Sequence, residues 1–194
     1  MRIYEKLLKL KRGVRIQISI TFRCNFNCPN CCQKFATGKR PVCNESSLHD
    51  WEDFFLNKFP YKIKEVYVSG GEPTLMPYFP ELVNWLLTQG YFVKIYTNIK
   101  RLNVLLKMKR SRRLKIVTTY YKGHDLNKFL NSYNILKRKY EMIVEEMGSK
   151  TLTFSKLKRE ETRNDNNNLA KVCIRIDPAI KLHLNCDELF RENQ

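Results

Sequence analysis

Apolar and polar residues alternate along the first legible stretch of this chain. Ile16, Ile18 and Ile20 fall on one face, and Gln17, Ser19 and Thr21 on the other. A period of two predicts a strand over about 15–21. The same pattern, or a short β-rich run, predicts strands at 65–69, 91–96, 114–119, 141–145 and 171–176. A further stretch at 180–184 reads as a strand forming a hairpin with the one before it. Between these runs the period changes to that of a helix. Leu48, Trp51, Phe54, Phe55 and Phe59 recur at helical spacing, so 48–59 is a helix with a bulky buried face. Ser47–Asp50 has the form of a capping box, and Pro60 marks the stop.

A second helix starts near Pro80, turns Leu82, Trp85 and Leu86 inward, and ends at Gly90. A short basic helix is expected over 101–110. Asp125 caps a helix that carries Leu126, Phe129, Leu130, Tyr133 and Leu136. A short amphipathic helix over 3–10, ended by Gly13, precedes the first strand, and a terminal helical turn is expected at 187–192. Strands alternating with helices imply a parallel α/β sheet built from right-handed βαβ units, too few for a closed eight-stranded barrel. Fully buried parallel strands usually read as continuous apolar runs. These alternate, so one face is expected to pack on helices and the other to line an open cavity. The chain divides into an N-terminal helix (1–13), a core (14–147) and a C-terminal segment (148–194). That last part is a polar, Asn-rich loop followed by a terminal strand or hairpin that completes the sheet.

Composition narrows the classes. The chain has 194 residues, 43 % of them apolar, enough for one folded domain. No apolar run approaches the roughly 18 residues of a membrane span, and the first residues lack the apolar block of a signal peptide. A cytoplasmic location and no membrane partner are therefore expected. Lys and Arg number 36 against 19 Asp and Glu, a net charge of +17. Such a charge points to an acidic protein, a peptide or a nucleic acid as partner, or simply to solvated helix faces. The segment 100–115 is the densest basic stretch. The seven cysteines are an odd number and three are clustered, which in a reducing compartment favours metal ligation over disulfides.

Those three are Cys24, Cys28 and Cys31, on the loop that follows the first strand. Three thiolates on one short loop suit a compact soft metal centre. Iron–sulfur clusters are most often held by four cysteines, so a set of three leaves one iron open for chemistry. Gly70, Gly71, Glu72 and Pro73 follow the second strand, and Thr97 and Asn98 follow the third. All three segments thus fall at C-terminal strand ends, the edge where parallel α/β folds place ligands.

Cys24-x-x-x-Cys28-x-x-Cys31 after a strand, with Gly70-Gly71-Glu72-Pro73 after the next, resembles the signature of the radical S-adenosylmethionine (radical SAM) superfamily over roughly residues 14–146. The resemblance implies an open, partial (β/α)6-type barrel with parallel strands and a short C-terminal extension. It implies a 4Fe–4S cluster on the three cysteines and S-adenosyl-L-methionine on the open iron, its ammonium group near Glu72. It further implies reductive cleavage to a 5′-deoxyadenosyl radical and an external one-electron reductant of flavodoxin or ferredoxin type. Phe26, Asn30, Gly70, Gly71, Glu72, Pro73, Thr97 and Asn98 are the implied cofactor-binding residues. Two positions depart from the family pattern: Asn30 stands where an aromatic is common, leaving the adenine contact to Phe26 or another loop, and Ile99 stands where Gly is expected after Thr97-Asn98. The lead-in Thr21-Phe22-Arg23 looks closer to cofactor-biosynthesis and peptide-maturing branches than to glycyl-radical activases.

Two other readings fit the residues. A structural zinc would need a fourth ligand from Cys32, Cys43 or a histidine and would make the chain a basic nucleic-acid-binding module. An iron–sulfur electron carrier or redox sensor would hold the cluster without cleaving the cofactor. Cys32, Cys43, Cys173 and Cys186 suit buried thiols, and Cys173 with Cys186 faintly resembles the cysteines of auxiliary-cluster extensions. His49, His124 and His183 show no ligand spacing.

Overall fold

The computed structural model of the chain describes residues 13–28, 31, 44–121, 125–147, 173–180 and 182–183. The predicted N-terminal helix, the Asn-rich loop, the terminal turn and Asn30, Cys32, Cys43 and Cys186 lie outside them.

Seven strands form one sheet among the described residues. They are β1 (Val14–Ser19), β2 (Ile63–Ser69), β3 (Phe92–Thr97), β4 (Leu114–Tyr121), β5 (Glu141–Met147), β6 (Cys173–Ile176) and β7 (Leu182–His183). Their order is β5-β4-β3-β2-β1-β6-β7. Every neighbouring pair is parallel except β6 with β7, which is antiparallel. Six parallel strands, with helices in the crossovers that join β1 to β5, are the α/β class read from the sequence. β6 joins the free side of β1, so the chain's first strand becomes interior to the sheet.

Helix α1 (Leu48–Asp53) starts on the expected capping box. Ser47 and Asp50 exchange hydrogen bonds between side chain and backbone. The helix then widens into a π turn over Phe54–Lys58, where the Phe59 N–H donates to Phe54 O at 2.9 Å. Helix α2 (Phe79–Thr88) has Pro80 in its first turn, and Gly90 leaves it at φ +86. The predicted basic helix at 101–110 is only one turn, α3 (Leu102–Leu105). Arg101 offers no side-chain cap, and the segment has no acidic residue to pair with its cations along a helix. The Tyr140 hydroxyl also lies 2.8 Å from both Leu105 O and Met108 O, and holds those carbonyls in a non-helical turn. Helix α4 (Leu126–Lys137) is capped by Asp125, whose side chain accepts from Lys128 N.

The alternation in β1 puts its apolar face in the core, as expected. Ile16, Ile18 and Ile20 are fully buried with Val66, Val68, Ile95 and Ile116 against the helices. Full burial of each such side chain contributes about 1.5–3 kcal/mol, so the sheet-to-helix layer is the dominant support for the strand ends. The opposite face is polar and organised round Tyr67. Arg15 and Lys94 lie over its ring, 4.9 and 4.7 Å from the centroid. Arg15 also pairs with Glu65 at 2.5 Å, and Gln17 donates to Ser69 Oγ at 2.9 Å.

Candidate active site

The C-terminal ends of β1, β2 and β3 are sewn together by hydrogen bonds between the three motifs. The chain leaving β1 lies along the turn after β2. Ile20 N–H donates to Ser69 O (3.1 Å), Gly71 N–H to Thr21 O (2.7 Å) and Glu72 N–H to Arg23 O (2.8 Å). The two glycines make this approach possible. A Cβ on Gly70, at φ +140, would lie 2.2 Å from Thr21 O, and one on Gly71 would lie 2.1 Å from Arg23 O. The pair therefore lets backbone approach backbone, bringing the turn hard against the residues that lead into Cys24.

Glu72 joins the turn to β3. Its carboxylate is buried, 1 % exposed, and four donors converge on it. Oε1 accepts from Thr74 Oγ1 (2.6 Å), Thr97 Oγ1 (2.7 Å) and Thr74 N (3.2 Å). Oε2 accepts from Asn98 N (2.8 Å). Burial pushes the Glu72 carboxyl above its ordinary range, and the donors of Asn98, Thr74 and Thr97 pull it back only in part. Pro73 begins a 3-10 turn over Pro73–Leu75 and is buried. Arg101 closes the far side by donating to Thr74 O at 2.7 Å. Asn98 completes the circuit, since its side-chain amide donates to Asn25 Oδ1 at 2.7 Å, inside the cysteine loop.

Among the cysteines, Cys28 is buried while Cys24 and Cys31 are half-buried. Cys24 Sγ accepts the Phe26 N–H at 3.4 Å. No group of three or more His, Cys, Asp or Glu side chains among the described residues is placed to hold one metal ion. The ligands of a single zinc must meet at one point, whereas thiolates of a cubane bind different irons. Phe26 is half-buried, with Lys100 Nζ 5.3 Å from its ring centroid.

Sequence reasoning missed a clasp at the base of this loop. Arg23 donates from Nε (2.9 Å) and a terminal nitrogen (2.6 Å) to the two oxygens of Glu45, and Thr21 Oγ1 also hydrogen-bonds Glu45. The Glu45 carboxylate holds the Arg23 guanidinium firmly charged. Ser46 follows, its N–H donating to Pro178 O (2.8 Å) and its carbonyl accepting from Tyr78 OH (2.6 Å). Burial pushes the Tyr78 phenol up to about 12, so it stays a donor. The excursion bearing all three cysteines is thereby closed where it leaves and rejoins the fold. Thr21 and Arg23 sit in the motif's lead-in, but no periodicity points to Glu45.

Ile99 is the other surprise. It takes φ +52, the left-handed region where the family pattern has Gly, yet its side chain is 1 % exposed in the core. A β-branched residue there costs about 1–2 kcal/mol of backbone strain, which burial of the side chain offsets.

This fold and constellation define a class, and comparison with known proteins agrees. The model of the radical SAM superfamily matches residues 18–145, more than half of the chain. The chain belongs to the radical SAM superfamily, a superfamily of enzymes. It is 32 % identical over 84 residues to a Methanocaldococcus jannaschii protein described as a putative glycyl-radical enzyme activating enzyme, covering 41 % of this chain and 29 % of that one. It is 28 % identical over 81 residues to the PqqA peptide cyclase of Streptomyces rochei, covering 42 % of this chain and 22 % of that one. The matches thus span less than a third of either relative. Among solved structures, Streptococcus suis SuiB bound to its precursor peptide SuiA superposes with a TM-score of 0.61 at 15 % identity, over 78 % of this chain and 36 % of that one. BtrN in complex with AdoMet and 2-DOIA superposes with a TM-score of 0.57 at 16 % identity, over 95 % and 77 %. At these identities the two structures show a shared fold, the partial barrel. No helix among the described residues is long and apolar enough to cross a membrane.

Proposed function

We propose that this chain binds a 4Fe–4S cluster through Cys24, Cys28 and Cys31 and uses it to cleave S-adenosyl-L-methionine reductively. The observation that carries this reading is the stitching of the cysteine loop, the Gly-Gly-Glu-Pro turn and the Thr97-Asn98 end into one unit. The donor set fits: three thiols on one loop, one of them buried and one already accepting a backbone N–H. With both groups bound, their chemistry is one-electron cleavage of the sulfonium to methionine and a 5′-deoxyadenosyl radical.

The chain's own residues hold and orient. Among the described residues Glu72 Oε2 accepts one hydrogen bond, from Asn98 N, and has capacity for one more donor, the methionine ammonium. Its carboxylate is fixed by Thr74 and Thr97, so the acceptor is in place before the ligand arrives. Asn98 sits between Glu72 and Asn25 and offers polar atoms to the same end of the cofactor. Gly70 and Gly71 serve by bringing the turn to the loop, and Pro73 starts the 3-10 turn that places Thr74. Phe26 is assigned the adenine contact that Asn30, in place of the common aromatic, leaves open. An external one-electron reductant of flavodoxin or ferredoxin type completes the system. The substrate is a peptide, a protein or a small molecule, and the names of both curated relatives favour the first two.

Anaerobic reconstitution tests the reading. About four iron and four sulfide per chain are expected, with 5′-deoxyadenosine formed after reduction in the presence of S-adenosylmethionine. Replacing any one of Cys24, Cys28 or Cys31 with Ala should abolish the cluster, whereas Cys32→Ala and Cys43→Ala should not. Stoichiometric zinc without sulfide would restore the zinc-module reading. An intact reducible cluster that never yields 5′-deoxyadenosine would leave an electron carrier.

A further inference from the structure

The opposite edge of the sheet carries a feature unrelated to the cofactor motifs. The loop between α3 and β4 presents Lys107, Lys109, Arg110, Arg112 and Arg113, all exposed. The end of α4 and its loop to β5, some 25 residues later in sequence, present Lys137, Arg138 and Lys139. The fold sets these two segments side by side. Lys139 Nζ donates to Leu106 O at 2.6 Å, and Tyr140 OH reaches Leu105 O and Met108 O. Lys115 and Glu141 are register partners at the start of β4 and β5, so the residues just before them occupy adjacent strand positions about 5 Å apart.

None of these eight cations forms an ion pair among the described residues, and neither loop contains an acidic residue. Like charges crowded in this way cost free energy unless a polyanion neutralises them. Apolar surface is scarce here: Leu106 and Phe92 are the exposed large hydrophobics, at 37 % and 44 %. Protein partners generally need a desolvated apolar centre. Phe92 lies at the start of β3 with the Arg113 guanidinium 5.8 Å from its ring centroid. An exposed aromatic ring beside a guanidinium, bordered by cations, suits an unpaired base stacked next to its phosphates. We infer that the N-terminal edge of β3, β4 and β5 binds single-stranded nucleic acid, with phosphates along the two basic loops and a base on Phe92. This surface lies at the end of the strands remote from the cysteines, so the inference stands or falls separately from the proposed chemistry.

The test is fluorescence anisotropy of a labelled oligouridine titrated with the folded chain between about 50 and 200 mM salt. Arg110→Gln/Arg112→Gln removes two exposed cations whose side chains make no hydrogen bond among the described residues. Each cation that neutralises a phosphate of a single strand adds about 0.7 to the slope of log K against log salt, so the double variant should have a slope shallower by about 1.4. Lys58→Gln/Lys128→Gln removes equal charge elsewhere and should leave the slope unchanged. Phe92→Leu should weaken oligouridine binding about tenfold, as removal of one stacked base does, while leaving binding of inorganic polyphosphate alone. Absence of oligouridine binding, equal slope changes in both double variants, or a polyglutamate peptide bound as tightly as the oligouridine would each overturn the inference. The last of these would assign the edge to an acidic polypeptide. A Phe92→Leu variant that weakens polyphosphate and oligouridine alike would remove the stacked base from it.

Discussion

Gly71→Ala separates two explanations of the Gly-Gly pair. If the glycines exist to admit the cofactor, an added methyl should leave the apoprotein stable and weaken only ligand binding. The geometry demands more. The new Cβ would lie 2.1 Å from Arg23 O, 2.6 Å from Arg23 C and 2.6 Å from Phe22 O, all backbone atoms. Ordinary van der Waals separation begins at about 3.4 Å, so the turn and the loop must part by roughly 1 Å. Separation on that scale breaks both Gly71 N–H to Thr21 O and Glu72 N–H to Arg23 O. Thr21 and Glu72 are buried, and the Thr21 carbonyl and Glu72 N–H left without partners cost about 1–3 kcal/mol each, so the loss should be about 2–6 kcal/mol, a large part of the roughly 5–15 kcal/mol that stabilises a domain. Thermal unfolding of the apoprotein, followed by circular dichroism, should show a fall in Tm of at least about 5 °C, given about 2–4 °C per kcal/mol for a chain of this size. Iron content after reconstitution should fall with it, because the segment that breaks away leads directly into Cys24. Wild-type Tm with full iron and weakened S-adenosylmethionine binding would refute the argument and return the glycines to the ligand.

Glu72→Gln should retain iron yet bind S-adenosylmethionine about ten- to a hundredfold more weakly, the worth of one charged hydrogen bond; equal dissociation constants from a titration of the cluster signal would remove Glu72 from the site. Because burial raises the Glu72 carboxyl, the folded apoprotein takes up its proton before the unfolded chain does. Wild type should therefore gain stability relative to Glu72→Gln as pH falls through the raised folded value toward the ordinary carboxylate range, and lose that gain as pH rises. A Tm difference that is flat with pH contradicts this. Ile99→Gly relieves the φ +52 strain but empties a fully packed site. Cavity costs of about 2–5 kcal/mol exceed strain relief of about 1–2 kcal/mol, so denaturant unfolding should show net destabilisation, and a more stable variant would show that strain dominates. Glu45→Gln leaves the largely exposed Arg23 with a weaker partner and should change global stability by about 1 kcal/mol or less. Its expected signature is faster loss of iron to a chelator, and an unchanged chelation rate would reduce the clasp to a surface ion pair.

The alternation in β1, the helices near 48–53, 79–88 and 126–137, and the caps at Ser47 and Asp125 were legible in the sequence, because side-chain period and turn chemistry are local properties. So was the placing of the three cysteines, the Gly-Gly-Glu-Pro turn and Thr97-Asn98 at strand C-termini, which follows from element order alone. What sequence could not supply was which of these segments touch, since that depends on strand order across the sheet. Gly70 and Gly71 read in the sequence as room for a ligand, and only the fold shows how closely the backbone of Thr21 and Arg23 approaches them. The Glu45 clasp joins residues 22 apart with no pattern linking them. The turn that ends the 101–110 helix early is held in part by a hydroxyl on Tyr140, more than 30 residues away. The left-handed backbone at Ile99 is likewise a tertiary outcome, held because the core around that side chain outweighs the local preference of a β-branched residue.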